Sequence, residues 1–221
     1  MASPVDIEAN PRAYLGKRDP GARYASFDYC FNHFQSYREQ GRLPELVRGD
    51  ALQLSCLHLA SYLASWGMFR GSSELLQRSV KTFIPLVEVI AHAAPSIWET
   101  DAHEYGDGSC PALFETARQI RQALPHEASD ILVTKVMLGT FGCVPAFDTY
   151  FKKGFRVSTF GRKALRRIGQ FYAANAQVIG RNRVHTLEFD TGAPSRRRYT
   201  RAKVIDMIFF VAGGEGSART S

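Results

Sequence analysis

Apolar residues recur at intervals of three and four along most of this chain, and the breaks between such stretches fall at Gly, Pro and Ser. Ser26 reads as the cap of a helix whose apolar face is Phe27, Cys30, Phe31, Phe34 and Tyr37, closed by Gly41 and Pro44. Asp50 opens a stretch to residue 69 in which Leu52, Cys56, Leu59, Leu63 and Trp66 share one face and Leu57, Ala60 and Ala64 widen it. So little polar surface remains that this segment reads as a buried central helix. Gly71-Ser72-Ser73 breaks the chain, Ser72 or Ser73 caps residues 74–80, and Pro85 begins the stretch 86–92.

The segment 95–108 mixes Trp98 with Glu99, Asp101, His103, Glu104 and Asp107, and it reads as a short helix and a loop on the surface. Ser109 and Pro111 start a helix that runs to Pro125; Ser129 caps the next, which Gly142 ends. Pro145 is expected to start a short helix stopped by Gly154, and a longer amphipathic helix follows from Thr159 to about Ile179. Residues 184–190 and 196–199 fit a hairpin around Thr191-Gly192, and Thr200 caps a closing apolar helix. The expected architecture is mostly α: a single irregular multi-helix domain of nine or ten short helices over residues 25–212, with one small β-hairpin near the C-terminus. A polar leader over residues 1–24 and a flexible tail over 213–221 complete it.

Composition sharpens this in one respect. The 221 residues are 45% hydrophobic and carry a net charge of +7, but the charge is unevenly placed. Residues 1–150 hold 13 Lys/Arg against 17 Asp/Glu, and residues 151–221 hold 15 against 4. A basic surface confined to the last third points to an acidic partner, first of all nucleic acid. The longest apolar run is interrupted by Gln53, Ser55, His58, Ser61 and Ser65, so no membrane-spanning helix and no membrane partner is expected. The N-terminus lacks a secretory pattern, which gives a cytoplasmic expectation. Cys30, Cys56, Cys110 and Cys143 are dispersed without a C-x-x-C pair, so neither zinc nor a disulfide framework is expected.

The most specific chemistry lies in residues 129–155, SDILVTKVMLGTFGCVPAFDTYFKKGF. Lys135 sits in an otherwise apolar helix and Asp148 beside a helix start, and both charges are expensive unless paired. A Lys-bearing helix, a Gly-containing turn, Val-Pro and then Asp-Thr-aromatic resembles a region of the helix-hairpin-helix DNA glycosylases. In that superfamily the Asp assists displacement at the sugar carbon after the base is flipped out of the duplex. The resemblance implies a DNA partner, possible release of a damaged or modified base, Asp148 as the catalytic carboxylate and Lys135 as an amine nucleophile or positioning charge. The order departs from the family in one way: its Gly-hydrophobic-Gly hairpin precedes the Lys, whereas Gly139 and Gly142 follow Lys135. A broader resemblance, carried by LHLASYLASWGMFRGSS, VTKVMLGTFGCVPAFDTYFKKGF and YTRAKVIDMIFF, is to a widespread bacterial family of uncharacterised proteins. It implies a fold kept as a unit and no particular activity.

Each of these residues also has a purely structural reading. Asp148 would then be a helix-terminal carboxylate or a partner for Lys135, and Lys135 a side chain snorkelling from the core edge. Arg70, with Ser72 and Ser73, forms either an anion site at a helix start or an internal ion pair. Lys152, Lys153, Arg162, Lys163, Arg166 and Arg167, joined by Arg181, Arg183 and the run Arg196, Arg197 and Arg198, form a candidate phosphate-tracking face. The acidic segment 99–107 has no metal-ligand spacing and His58 reads as a core histidine, so no metal or cofactor is expected. Two functions remain open: a DNA-interacting protein of glycosylase-like architecture, or a non-enzymatic module whose basic surface meets nucleic acid or an acidic protein.

Overall fold

The computed structural model describes residues 5–71, 73–106, 110–124 and 128–214. Ten α-helices account for most of them: α1 (Ala9–Leu15), α2 (Ser26–Glu39), α3 (Gly49–Ser65), α4 (Ile84–Ala91), α5 (Pro95–Glu99), α6 (Cys110–Ala123), α7 (Asp130–Thr140), α8 (Thr149–Phe155), α9 (Arg162–Arg181) and α10 (Arg201–Gly214). Between α9 and α10 one antiparallel hairpin pairs β1 (His185–Leu187) with β2 (Pro194–Arg198). The mostly α architecture with one C-terminal hairpin therefore matches the periodicity of the sequence. No described helix is long and apolar enough to cross a membrane.

The closing helix is the axis of the fold. α10 is buried over residues 202–209 and packs against α1, α8 and α9. Its approach to α8 is unusually close: a methyl on Gly154 would meet the Phe209 carbonyl, and one on Gly213 would meet that of Tyr150. Gly142, at φ +70°, ends α7 in the left-handed conformation that a glycine adopts without strain.

Several local expectations are corrected. The stretch read as a polar leader contains α1, in which Tyr14 is buried and the Asn10 amide donates to the Ile208 carbonyl of α10 at 3.1 Å. Ser26 does not cap α2, because a 3₁₀ turn over Arg23–Ala25 runs directly into the helix and the Ser26 hydroxyl donates back to the Arg23 carbonyl at 2.6 Å. Residues 74–80 form one 3₁₀ turn at Glu74–Gln77, and a second follows at Val80–Phe83. The segment after α4 is no surface excursion: Ile97, Trp98, Asp101 and Ala102 are buried. Asp101 is the reason, since its carboxylate accepts from Ala102 N at 2.7 Å, from Arg201 N and Ala202 N at 2.8 Å each, and pairs with the Arg201 guanidinium, so it anchors the start of α10. Finally, Pro145 does not start α8. The Ala146 and Phe147 N–H groups donate to Asp206 Oδ1 and Thr134 Oγ1, which satisfies them outside a helix until Asp148 caps Thr149–Phe155.

A second buried acid ties the hairpin to the body. Asp28 of α2 accepts from Tyr199 Oη at 2.6 Å and Leu187 N at 3.0 Å and faces Arg18 at 3.3 Å. Burial nevertheless pushes its carboxyl up to about 6, against the pull of Tyr199 and Arg18.

Candidate functional site

Lys135 and Asp148, thirteen positions apart in sequence, meet where α7 and the start of α8 converge on the end of α3. Lys135 Nζ donates to Asp148 Oδ2 at 3.3 Å and to the Trp66 carbonyl at 3.1 Å, and it stands 5.4 Å from the Trp66 ring centre. The second Asp148 oxygen, Oδ1, accepts from Phe151 N at 2.9 Å, so the same carboxylate caps α8. The side chains are 5% and 13% exposed, which leaves the pair buried yet reachable. Burial lowers the Lys135 ammonium from its usual value, opposed by Asp148 and by a second acid, Asp206.

The two charges form the floor of a cavity of about 170 Å³ whose walls are Trp66, Met68, Ile131, Tyr150 and Phe210 and whose charged lining also includes Arg23 and Arg70. Tyr150 and Phe210 meet edge to face at 5.1 Å, as do Trp66 and Phe210 at 5.6 Å. Arg23 is exposed and lies over the Tyr24 and Trp66 rings, at 5.2 and 5.5 Å, with no carboxylate partner among the described residues. Arg70 is likewise exposed and has no ionic partner among the described residues; it folds over Gly67, whose φ of +79° and missing side chain make room for the guanidinium. It therefore does not pair with Asp148, although both border one cavity. Ser72 lies outside the described residues, and the Ser73 hydroxyl is already used, donating to the Met68 carbonyl at 2.6 Å. Of the expected Arg70–Ser72–Ser73 anion site, the described part is Arg70, exposed, and Ser73, whose hydroxyl is bonded to Met68.

Beneath this floor lies a pair that the sequence reading missed. Lys203 Nζ donates to Asp206 Oδ2 at 3.0 Å and Tyr14 Oη at 2.9 Å and sits 4.5 Å from the Phe27 ring centre. The two ion pairs, with Tyr62 and Trp66, border a void of about 10 Å³. Burial raises the Asp206 carboxyl; Lys203 opposes the shift and Asp148 adds to it, so the four charges form one network. The Trp66 indole N–H, buried on the shared wall, has no hydrogen-bond acceptor among the described residues. The signal for Lys203 and Asp206 was present in the sequence: two charges three apart inside the apolar run of YTRAKVIDMIFF.

The basic residues do not form one face around this cavity. Lys163 and Arg167 border a separate depression of about 220 Å³ with Arg156, Ser158 and Thr159, at the far end of α8. Arg167 donates to the Arg156 and Phe155 carbonyls at 2.9 and 3.2 Å and so closes the C-terminus of α8, while Arg162 lies over Phe114. Lys152 is half-buried on α8, Lys153 exposed, and Arg166 is exposed on α9. The C-terminal run sits elsewhere: Arg197 grips the Glu39 carboxylate through two nitrogens at 2.8 Å each, Arg196 approaches the same acid at 3.5 Å, and Arg198 donates to His185. Arg197 is thus committed to the end of α2 and Arg198 to β1, while Arg196 stays 79% exposed.

Among the described residues no cluster of His, Cys, Asp or Glu could hold a metal ion. Asp107 of the acidic segment lies outside them. His58, expected in the core, is half-buried and stacks on His33 at 4.2 Å. Cys30, Cys56 and Cys143 are buried free thiols. No protein-family model, no curated protein and no solved structure matches this chain.

Proposed function

We propose that the chain binds nucleic acid and receives one unstacked base in the cavity floored by Lys135 and Asp148, with Asp148 assisting release of that base. The observation that carries the reading is the cavity itself: a reachable carboxylate under aromatic walls, with two guanidinium groups in its lining that have no carboxylate partner among the described residues. At about 170 Å³ it has room for a single ring system rather than a typical drug-sized ligand. Aromatic walls favour a planar base and free arginines favour the phosphates beside it. In the reaction the bond from the sugar C1′ to the base nitrogen breaks and its electron pair leaves with the base, which takes a proton. The Asp148 carboxylate stabilises the positive charge on the sugar until water adds at C1′ and loses its own proton. Lys135, held by Asp148 and the Trp66 carbonyl, orients the carboxylate; the amine-nucleophile role is not needed.

The test is base release from single- and double-stranded DNA carrying alkylated, deaminated or oxidised bases, followed by chromatography. Wild type is expected to release a base, and Asp148→Asn to bind the same strand without releasing it. If wild type releases nothing across the panel, the catalytic half falls and a binding protein remains; if it ignores nucleic acid at low ionic strength, the whole reading falls.

A second reading rests on one observation, the capping of α8 by the same Asp148. In it the four-charge network is purely architectural and the chain is a non-enzymatic module with a basic surface. The DNA panel separates the two directly.

A further inference from the structure

On the other side of Arg23 lies a larger, open groove of about 400 Å³, between the 3₁₀ turn at Arg23–Ala25, α2, α3 and the hairpin loop. Its lining is mostly apolar or aromatic, with Tyr29, Leu54, Leu57 and Phe189. Three of these are large hydrophobic side chains turned toward solvent: Phe189 is 76% exposed, Leu54 49% and Leu57 42%. Phe189 meets Tyr29 edge to face at 5.0 Å, which holds one aromatic face against the groove. His58 contributes a flat wall through its stack on His33. Among the described residues the only Lys or Arg lining the groove is Arg23, which also lines the Asp148 cavity, and the successive residues Ser65 and Trp66 likewise fall one in each.

We infer that this groove is a second base subsite: it takes the nucleotide next to the one in the Asp148 cavity, with the phosphate between them on Arg23. The inference rests on the nucleic-acid reading and narrows its substrate to a strand that is single or locally opened, because two neighbouring bases must leave the stack together. The groove exceeds the space one base needs, and apolar surface beside a single cation matches a base attached to one phosphate. A ligand confined to the Asp148 cavity would give Phe189, Leu54 and Leu57 no part in binding.

The test uses fluorescein-labelled twelve-nucleotide thymidine single strands and a twelve-base-pair duplex, with affinity followed by anisotropy at several salt concentrations. Phe189→Ala is expected to weaken single-strand binding about tenfold, the size of one lost base-aromatic stack, and to weaken duplex binding much less. Arg23→Gln is expected to flatten the salt dependence of single-strand binding by about 0.7 in the log–log slope, as for one lost phosphate contact. A strand carrying 4-thiothymidine should photocrosslink to peptides containing Tyr29 or Phe189. Wild type that binds single strands with no loss in Phe189→Ala and no such crosslink overturns the subsite and leaves the Asp148 cavity standing. Wild type that binds no strand overturns both. If the groove instead seats a second copy of this chain, light scattering will show a concentration-dependent dimer that Phe189→Ala dissolves, and that result also overturns the subsite.

Discussion

Asp148 carries two duties that a single substitution can separate. Asparagine caps a helix about as well as aspartate, so Asp148→Asn keeps the bond to Phe151 N and removes only the charge facing Lys135. Stranding one member of a buried pair costs about 3 kcal/mol, and for a chain of this size thermal denaturation should show a Tm lower by roughly 6–12 °C. Lys135→Met should cost less, because methionine fills the space while Asp148 retains its cap and partial access to water. Because both variants keep the cap, a loss in neither would mean that the cap, not the pair, is the source of stability. Asp28 offers a pH signature. Its folded value of about 6 lies above the ordinary 3.8, so between those values the folded chain holds more proton than the unfolded one, and stability falls as pH rises through the window. The loss from this group by pH 7 is about 3 kcal/mol, and in urea denaturation at pH 4 through 7 the stability of wild type relative to Asp28→Asn should fall by that amount. At this scale the sequence was readable where a charge interrupted an apolar run, as at Lys135. Arg23 and Phe189 were opaque, since their roles depend on which distant surfaces the fold sets beside them.

Elements were more legible than residues. Apolar spacing marks α2, α3, α6, α7, α9 and α10, and turn chemistry marks the hairpin, because local periodicity and capping are sequence-local physics. The misreadings at α1, in the segment after α4 and at the start of α8 share one cause: backbone groups satisfied by side chains far away in sequence. Ala146 and Phe147 stay out of α8 because Asp206 and Thr134 receive their N–H groups, and α1 was hidden because it packs on a helix nearly two hundred residues later. The contact of α8 with α10 yields a prediction at this level. In an exposed helix, replacing Gly by Ala gains about 1 kcal/mol, whereas here an added methyl at residue 154 or 213 drives into the backbone of the facing helix. Gly213→Ala and Gly154→Ala should each lose about 1–3 kcal/mol by chemical denaturation, with the sign opposite to propensity. Because α8 begins at Asp148, the same variants should weaken binding in the adjoining cavity, whereas a Gly180→Ala change on α9, where a methyl meets nothing within 4 Å, should do neither.

Across the whole molecule, the division of charge read from composition survives folding only in part. The structure removes Arg197 from the free basic surface by pairing it with Glu39, and uses Arg167 to close α8. It adds Arg23 and Arg70 from the acidic first two thirds to the lining of the cavity. Lys152 and Lys153 lie on α8 four and five residues past Asp148, roughly 6–8 Å along its axis, and Lys163 of α9 borders the depression at the far end of that helix. That distance is within reach of a strand whose base occupies the cavity, so these lysines would meet flanking phosphates without touching bases. Replacing all three with Gln should then lower affinity equally for every strand sequence and flatten the single-strand salt slope by up to about 2. Replacing Arg196, which approaches Glu39 at the end of α2, and Arg198, which donates to His185 of the hairpin, should change that slope far less. The reverse result would place the nucleic-acid path over the hairpin and away from Asp148, and the cavity would then have no claim on a base.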